Sequence, residues 1–245
     1  MFMNLRSVLF TTAILFGQTA HGGGTLTVVA DEWPPFSGAE LPNGGISLDV
    51  ISAVLERAGY TVNTEILPWA RIMSGAKSGE YDIVGSLFYD PEIEEFMSYG
   101  DPFYETKVQF VRQVGSDHEV KGLDSLGDLS IAVGDGFLYE DEFDRADYLN
   151  KVVVTTTLQA MQMVGHGRAT LTLDSLDVLN FALKNQDPSL ADNLEILPYV
   201  LATHGVHMAV NNRHPDHIAI VAAFNTALKE MRDDGSLSLI YERHK

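Results

Sequence analysis

The sequence predicts an α/β protein of two lobes, each a mainly parallel sheet flanked by helices. Two observations support this prediction. Short β-branched runs alternate with stretches of about 10–15 residues whose apolar residues recur at helical spacing, a pattern typical of parallel sheets covered by helices. The chain also contains a weak internal repeat, in which a helix, a Gly-containing polar turn and a buried strand end in YDIVGS and again in ATLTLDS.

The composition excludes several classes of function. The 245 residues are 45% hydrophobic, which is enough for a packed core, and the length fits one large domain or two ordinary ones. The formal charge of −18 argues against nucleic acid and anionic membranes as partners, because both require clustered basic residues. It fits a saline habitat or a cationic solute equally well. Because there is no Cys, disulfides, thiol catalysis and Cys-ligated zinc are excluded.

The first 22 residues are typical of a secretory signal peptide. A single positive charge precedes the apolar run SVLFTTAILF and the small-x-small sequence AHG. The apolar run is shorter than the ~20 residues that a membrane-spanning helix needs. We therefore expect cleavage near Ala20 or Gly22, and an acidic protein secreted to the periplasm.

The first half of the mature chain alternates strand and helix. The run TLTVVA at 25–30 predicts a strand, and a loop rich in Pro and Gly follows at 31–45. Apolar residues three and four apart predict a helix over 46–58, which Gly59 ends. Further strands are predicted at 61–67, 81–85 and 107–111, and a further helix at 69–77.

The second half repeats this alternation. A strand at 130–133 runs into the turn Gly-Asp-Gly, and a helix over 158–166 follows three Thr residues, any of which could cap it. A long amphipathic helix is predicted over 215–232, with Pro215 as an early residue. Further strands are predicted at 152–155, 170–173 and 207–210, and a further helix at 176–184.

Four stretches carry recognisable motifs in a fixed order. They are LTVVADEWPPF at 26–36, GEYDIVGSLFYDPEIEEFMSYGDPFYE at 79–105, LDSLGDLSIAVGDGF at 123–137 and MRDDGSLSLIYERH at 231–244. Together they resemble the extracellular solute-binding proteins of the polar amino-acid ABC-transporter type, bacterial family 3. The segment ILPWARIMSGAKSG at 66–79 further resembles a branch of this family that carries a Pro-Trp-x-Arg motif.

This resemblance implies a type II periplasmic binding protein fold, with lobe 1 at 24–112 and 207–245 and lobe 2 at 113–206. The chain would cross between the lobes near 111–115 and 204–208. Closure of the lobes about this two-strand hinge would bury a small polar ligand, an amino acid or a related compound. We expect a monomer without cofactor, metal or covalent chemistry, which passes its ligand to an inner-membrane ABC permease.

Candidate ligand-binding residues follow the strands, because open α/β sheets bind ligands beyond the carboxyl ends of their strands. In lobe 1 the candidates are Trp33, Phe36, Trp69, Arg71, Ser86, Phe88 and Tyr89. Aromatic residues in strand-end turns often line pockets, although Trp33 and Trp69 could instead pack in the core. The Arg71 guanidinium could hold a ligand carboxylate through two hydrogen bonds, or lie on a solvated helix face.

In lobe 2 the candidates are Asp135, Gly136 and Phe137, in the turn after a strand, and Asp174. Backbone N–H groups where this turn opens a helix would attract anions, but the glycine spacing does not fit a dinucleotide-binding loop. The resemblance places an Asp near the end of ATLTLD against a ligand amino group. The spacing leaves open whether this residue is Asp174 or Asp177, and either could instead cap a helix.

One position departs from the family. Members that bind amino acids carry an Arg after Thr-Pro-Glu, which holds the ligand carboxylate, whereas this chain has Ile93 there. Two interpretations follow. Either Arg71 substitutes for this residue from another direction, or the ligand is not an amino acid.

Two other functions are compatible with such a scaffold. Cyclohexadienyl dehydratases resemble this family, and an enzyme of that kind would need a protonated carboxyl group in the cleft as general acid. Asp174 or Glu105 could serve. A sensory module would precede a membrane segment and a signalling domain, and we expect neither. The His pairs at 204 and 207 and at 214 and 217 have no third ligand at short spacing, so we expect no zinc site.

Overall fold

The computed structural model describes residues 23–245, in which nine strands join in one mixed sheet. The strands are β1 (Thr25–Ala30), β2 (Thr61–Ile66), β3 (Ile83–Leu87), β4 (Met97–Tyr99), β5 (Tyr104–Gln113), β6 (Ile131–Gly134), β7 (Lys151–Val154), β8 (Leu171–Ser175) and β9 (Leu194–Asn211). The helices are α1 (Ile46–Arg57), α2 (Trp69–Ser78), α3 (Pro91–Glu94), α4 (Asp141–Asp144), α5 (Thr157–Gly165), α6 (Leu176–Phe181), α7 (His217–Asp233) and α8 (Ser236–Glu242). The predicted signal peptide at 1–22 lies outside the described residues and stays a prediction.

One half of the sheet has the strand order β2-β1-β3 and then the last residues of β9. β1 is parallel to both β2 and β3, whereas β3 and β4 are antiparallel to β9. Helix α1 packs here because Val54 lies four and three residues after Val50 and Ile51, and all three side chains are fully buried. The helix ends before Gly59, whose φ of 95° is the left-handed conformation that stops a helix.

The other half has the order β9-β5-β8-β6-β7. β6 is parallel to β7 and β8, and β5 is antiparallel to β8 and β9. On one face, Phe110 and Phe143 pack with their ring centroids 6.1 Å apart. On the other, α5 and α6 bury Met161 and Leu179. The α/β prediction, with parallel strands covered by helices in each half, is confirmed.

Strand β9 belongs to both halves. Residues 194–206 pair with β5, from Gln113 opposite Leu194 to Tyr104 opposite Val206. The remaining residues, 207–211, pair with β3 and β4. β5 and β9 therefore form a long antiparallel ribbon that joins the two halves.

The predicted strand at 207–210 is confirmed as the last part of β9, but the prediction missed the residues before it, because β9 begins at Leu194. Pro198 and Gly205 interrupt the alternating pattern that marks a strand. The pairing of β9 with β5 shifts register on either side of Gln109, and the Gln109 side chain donates to the Leu197 carbonyl at 2.6 Å. A long-range contact with β5 thus holds a strand whose local pattern is weak.

Smaller differences have local causes. The predicted strand at 81–85 begins two residues later, because the Tyr81 ring packs against Gly75 of α2. β5 is longer than the predicted 107–111, since both of its ends pair with β9. The short elements α3 and β4 were not predicted, and at three or four residues each they are too short to show a period.

Candidate functional site

A cavity lies beyond the carboxyl ends of β1, β3 and β8, facing the turn after β6. Its lining comes from both halves of the sheet. The lining residues are Asp31, Trp33, Trp69, Ser86, Leu87, Phe88, Ile93, Gly136, Phe137, Leu138, Tyr139 and Asp174. The cavity therefore occupies the place where open α/β sheets bind ligands.

Seven of the predicted site residues meet at this cavity. They are Trp33, Trp69, Ser86, Phe88, Gly136, Phe137 and Asp174. They come from five different segments of the chain, each of which follows or ends a strand. The rule that placed them, that ligands lie beyond strand ends, thus selects residues that are far apart in sequence and close in space.

Asp174 is the most constrained polar group in the cavity wall. It is 3% exposed. Its carboxylate accepts hydrogen bonds from Trp33 Nε1 at 3.2 Å, from the Ser175 backbone N–H at 2.6 Å and from Thr157 Oγ1. Burial raises the pKa of Asp174 to about 6, although the three hydrogen bonds favour the charged form. The bond to Trp33 ties the loop after β1 to the end of β8, 141 positions away.

Asp31 is a second buried carboxyl group in the same wall, which the sequence analysis missed. It follows β1 directly and is 9% exposed. Its pKa is raised to about 7, mainly by burial and to a smaller extent by the nearby charge of Asp174. The signal that could have found it was present, because Asp31 follows a strand in the way that the other candidates do.

Ser86 combines backbone strain with an unsatisfied hydroxyl group. Its φ is 62°, a conformation that residues other than Gly rarely adopt. The side chain is 4% exposed, and its Oγ has no hydrogen-bond partner among the described residues. Such strain persists only where the surrounding structure imposes it, often at ligand sites.

Aromatic rings form much of the remaining wall. The Trp33 ring meets the Phe88 ring edge to face, with centroids 5.2 Å apart. Phe88 in turn stacks on His204 of β9 at 4.5 Å. On the opposite side, a Cβ on Gly136 would lie 3.5 Å from Trp69 Cδ1. Trp69 and Gly136 therefore approach each other across the cavity from the two halves of the sheet.

Four predicted residues do not line the cavity. Arg71 and Asp135 are exposed, and Tyr89 is 50% exposed with its hydroxyl bonded to Glu94. Phe36 is fully buried beneath Trp33, at a centroid distance of 4.6 Å, so it supports the wall from behind. For Arg71 the cause is the orientation of α2, whose buried face carries Ile72 and Ala76 instead.

The expected helix after the Gly-Asp-Gly turn is absent, since the next helix, α4, begins at Asp141. The backbone N–H groups of Asp135 and Phe137 donate to the Val154 and Gly134 carbonyls. These N–H groups are therefore engaged within the protein. The prediction that this turn opens a helix is wrong, and the anion site inferred from it loses its support.

Ile93 lies in the cavity wall and is 6% exposed. This is the position at which the resemblance places an Arg. Within residues 23–245, no Lys, Arg or His lines the cavity. The cavity therefore presents two carboxyl groups, a free hydroxyl group and aromatic rings, without a basic group.

The structure separates the roles of Asp174 and Asp177. Asp174 lines the cavity. Asp177 instead accepts hydrogen bonds from Tyr104 at 3.0 Å and from Thr106 Oγ1 at 2.6 Å, both on β5. Asp177 thus fastens the first turn of α6 to the ribbon that joins the two halves.

Neither a membrane span nor a metal site is found within the described residues. No helix there has both the length and the apolar content needed to cross a bilayer. No group of three His, Asp or Glu side chains there could hold a metal ion. His204 and His207 contact different backbone carbonyls, those of Tyr139 and Gly100.

Comparisons with known proteins give the following relatives. The family model "Bacterial extracellular solute-binding proteins, family 3" matches residues 26–245. The L-cystine-binding protein TcyA of Bacillus subtilis (strain 168) is 25% identical over 210 residues, which cover 81% of this chain and 71% of that protein.

Solved structures with the same fold include a mutant of ArgBP from T. maritima, with a TM-score of 0.75 and 20% identity over 90% of this chain and 94% of that one. The ancestral amino acid-binding protein AncCDT-1, a precursor of cyclohexadienyl dehydratase, has a TM-score of 0.72 and 22% identity over 90% and 94%. These likenesses show the type II periplasmic binding protein fold.

Proposed function

Because the chain belongs to the bacterial extracellular solute-binding proteins, family 3, we propose that it captures a small polar ligand, an amino acid or a related compound, for an inner-membrane ABC permease. One observation carries this proposal: the cavity is lined from both halves of the sheet, with Trp69 on one side and Gly136 on the other. A ligand that touches both halves favours their closed arrangement, because those contacts exist only when the halves are together.

The sequence predicts lobes at 24–112 with 207–245 and at 113–206, and we propose that the first boundary lies earlier, so that residues from Val108 onward belong to the second lobe. The ribbon of β5 and β9 supports two chain crossings between them. Since β5 pairs with β8 from Val108 onward, the pairing favours a first crossing near 104–107, earlier than the 111–115 predicted from sequence. The second crossing lies opposite, near 202–206.

We also infer secretion to the periplasm through a signal peptide at 1–22, and a monomer in solution. The family description, extracellular, supports export of the mature protein. Expression of the full sequence in a Gram-negative host tests this inference. The protein recovered from the periplasm should bind its ligand, and mass spectrometry should identify a mature N-terminus near residue 22. Protein kept in the cytoplasm with residues 1–22 intact would contradict it.

The cavity favours capture over the enzymatic alternative. Of the two carboxyl groups suggested as general acid, Glu105 is exposed and lies outside the lining residues. Asp174 lines the cavity, but a dehydratase of this kind acts on carboxylate-bearing substrates such as prephenate. Prephenate carries two carboxylates and no cationic group, so the two acidic groups of the wall would repel it, whereas they would attract the ammonium group of an amino acid or an amine.

Thermal unfolding of the purified mature protein with a solute panel tests the proposed function. The panel contains amino acids, amines, organic acids and compatible solutes. A ligand at 100 times its dissociation constant stabilises the folded state by ~2.7 kcal/mol, so at least one compound should raise the melting temperature. Absence of any shift across the panel contradicts capture, and formation of product from prephenate or arogenate would favour the enzyme.

A further inference from the structure

We propose that the ligand is a small organic cation whose head group carries N–H donors, an alkylammonium or alkylguanidinium compound, bound without a carboxylate partner. This inference rests on the proposed function and narrows its ligand class. It is carried by the lining of the cavity, in which two carboxyl groups, a free hydroxyl group and aromatic rings surround a space to which none of residues 23–245 contributes a basic group.

The charges in the wall are of one sign. Asp31 and Asp174 are 9% and 3% exposed. Burying an uncompensated carboxylate is costly, and a nearby cation removes most of that cost. Among the lining residues none can supply this cation, so a ligand is the group that would supply it.

The two carboxyl groups differ in how many hydrogen bonds they already accept within the protein. Asp174 already accepts three hydrogen bonds from Trp33, Ser175 and Thr157. Asp31 receives support from its own backbone N–H, and both its burial and the charge of Asp174 oppose its ionisation. Asp31 is therefore the group with free acceptor capacity, and a ligand N–H would satisfy it.

Ser86 supplies an independent indication of a ligand. Its Oγ is buried, lines the cavity and has no partner among the described residues. A buried hydroxyl group left without a hydrogen bond costs about 1–3 kcal/mol. A donor or acceptor on the ligand would recover this cost, and the strained backbone at φ 62° holds the hydroxyl in place.

The aromatic residues suit a cation as well. Trp33, Trp69, Phe88 and Phe137 line the cavity together. The negative face of an aromatic ring attracts an ammonium or guanidinium group, most strongly where water is excluded. The apolar rings also accommodate an alkyl chain.

A zwitterionic amino acid fits this lining less well. Its carboxylate would need a donor such as an Arg, but Ile93 occupies that position and Arg71 is exposed outside the cavity. Removal of the carboxylate from the ligand would therefore improve binding to this protein, whereas it would weaken binding to a site with an Arg clamp.

Calorimetric titration of the mature protein with matched pairs tests the inference. The probes are agmatine against arginine, cadaverine against lysine, and putrescine against ornithine, with choline as a cation that lacks N–H donors. The affinity of the tightest-binding amine should be at least ten times that of its parent amino acid, and should also be higher than that of choline. A parent amino acid that binds as tightly as its amine overturns the inference and leaves the proposed function intact.

The inference is also overturned, and the proposed function left intact, if no amine binds while another solute of the thermal panel does. If no compound of either set binds, the proposed function fails as well. The variant Asp31→Asn should weaken amine binding at least tenfold, whereas Glu40→Gln, an equal charge change at an exposed position outside the lining, should leave it unchanged. Equal affinities for both variants would show that bulk charge, not the cavity, attracts the amine.

Discussion

Asp31 is held in the cavity wall at a cost to the fold. Because burial raises its pKa from the usual 3.8 to about 7, the folded state binds a proton between these values that the unfolded chain has released. Its contribution to stability is therefore largest at low pH and is lost as the pH rises towards 7. A bound cation would reverse this cost, which explains why an unfavourable group can persist at a ligand site.

We predict that Asp31→Asn stabilises the unliganded protein more at pH 8 than at pH 5. The neutral amide removes a penalty that grows by about 2–3 kcal/mol over this interval. Urea unfolding of both proteins at the two pH values measures the difference, and Glu40→Gln serves as control. A stability difference independent of pH would show that Asp31 is ionised without penalty in the folded protein.

The sequence predicted correctly those cavity residues whose position follows from their place at the end of a strand. Trp33, Ser86 and Asp174 follow or end strands, and parallel strands bring their carboxyl ends to one edge. Arg71 failed because its direction depends on the rotation of α2 against the sheet, which sequence spacing alone leaves open. Ile93 drew attention only as a missing Arg, and its place in the wall depends on tertiary packing.

At the scale of elements, α2 sets the position of Trp69. The helix begins at Trp69 and packs through Ile72, Gly75 and Ala76. A Cβ at Gly75 would overlap the buried Tyr81 ring. The close approach of α2 to Tyr81, which precedes β3, therefore requires glycine at position 75.

We predict that Gly75→Ala destabilises the protein by about 1–2 kcal/mol, since overpacking outweighs the gain in helix propensity. It should also weaken ligand binding, because α2 carries Trp69 into the cavity. Ser74→Ala, an exposed position on the same helix, is the matched control and should be neutral or slightly stabilising. Chemical denaturation compares the three proteins, and an unchanged midpoint for Gly75→Ala would contradict the packing argument.

The elements that sequence located well are those with strong local periods. α1, α7 and β1 show apolar repeats that match their burial. β9 was missed over most of its length because it is stabilised by partners distant in sequence, while Pro198 and Gly205 weaken its own pattern. The local sequence pattern therefore predicts the helices and the inner strands, but it does not predict the ribbon of β5 and β9 that joins the two halves.

On the scale of the whole molecule, closure should be measurable. Two contacts connect the proposed lobes across the cavity: the hydrogen bond from Trp33 to Asp174 and the approach of Trp69 to Gly136. We predict that small-angle scattering of the mature protein shows a smaller radius of gyration with saturating ligand than without it. Asp31→Asn should need at least ten times more ligand for the same decrease in radius. A radius that ligand does not change would contradict the hinge.

The ribbon of β5 and β9 has a consequence for attempts to divide the molecule. The segment 113–206 lacks almost all of β5, which pairs with both β8 and β9, so its excision would expose the unpaired edges of its sheet to aggregation. Because both β5 and β9 contribute to both halves, we expect that no single cleavage yields two pieces that fold autonomously. Insertion of a reporter domain or circular permutation should therefore leave both β5 and β9 uninterrupted. The largely exposed segment at 115–119, which follows β5, is one such place to open the chain.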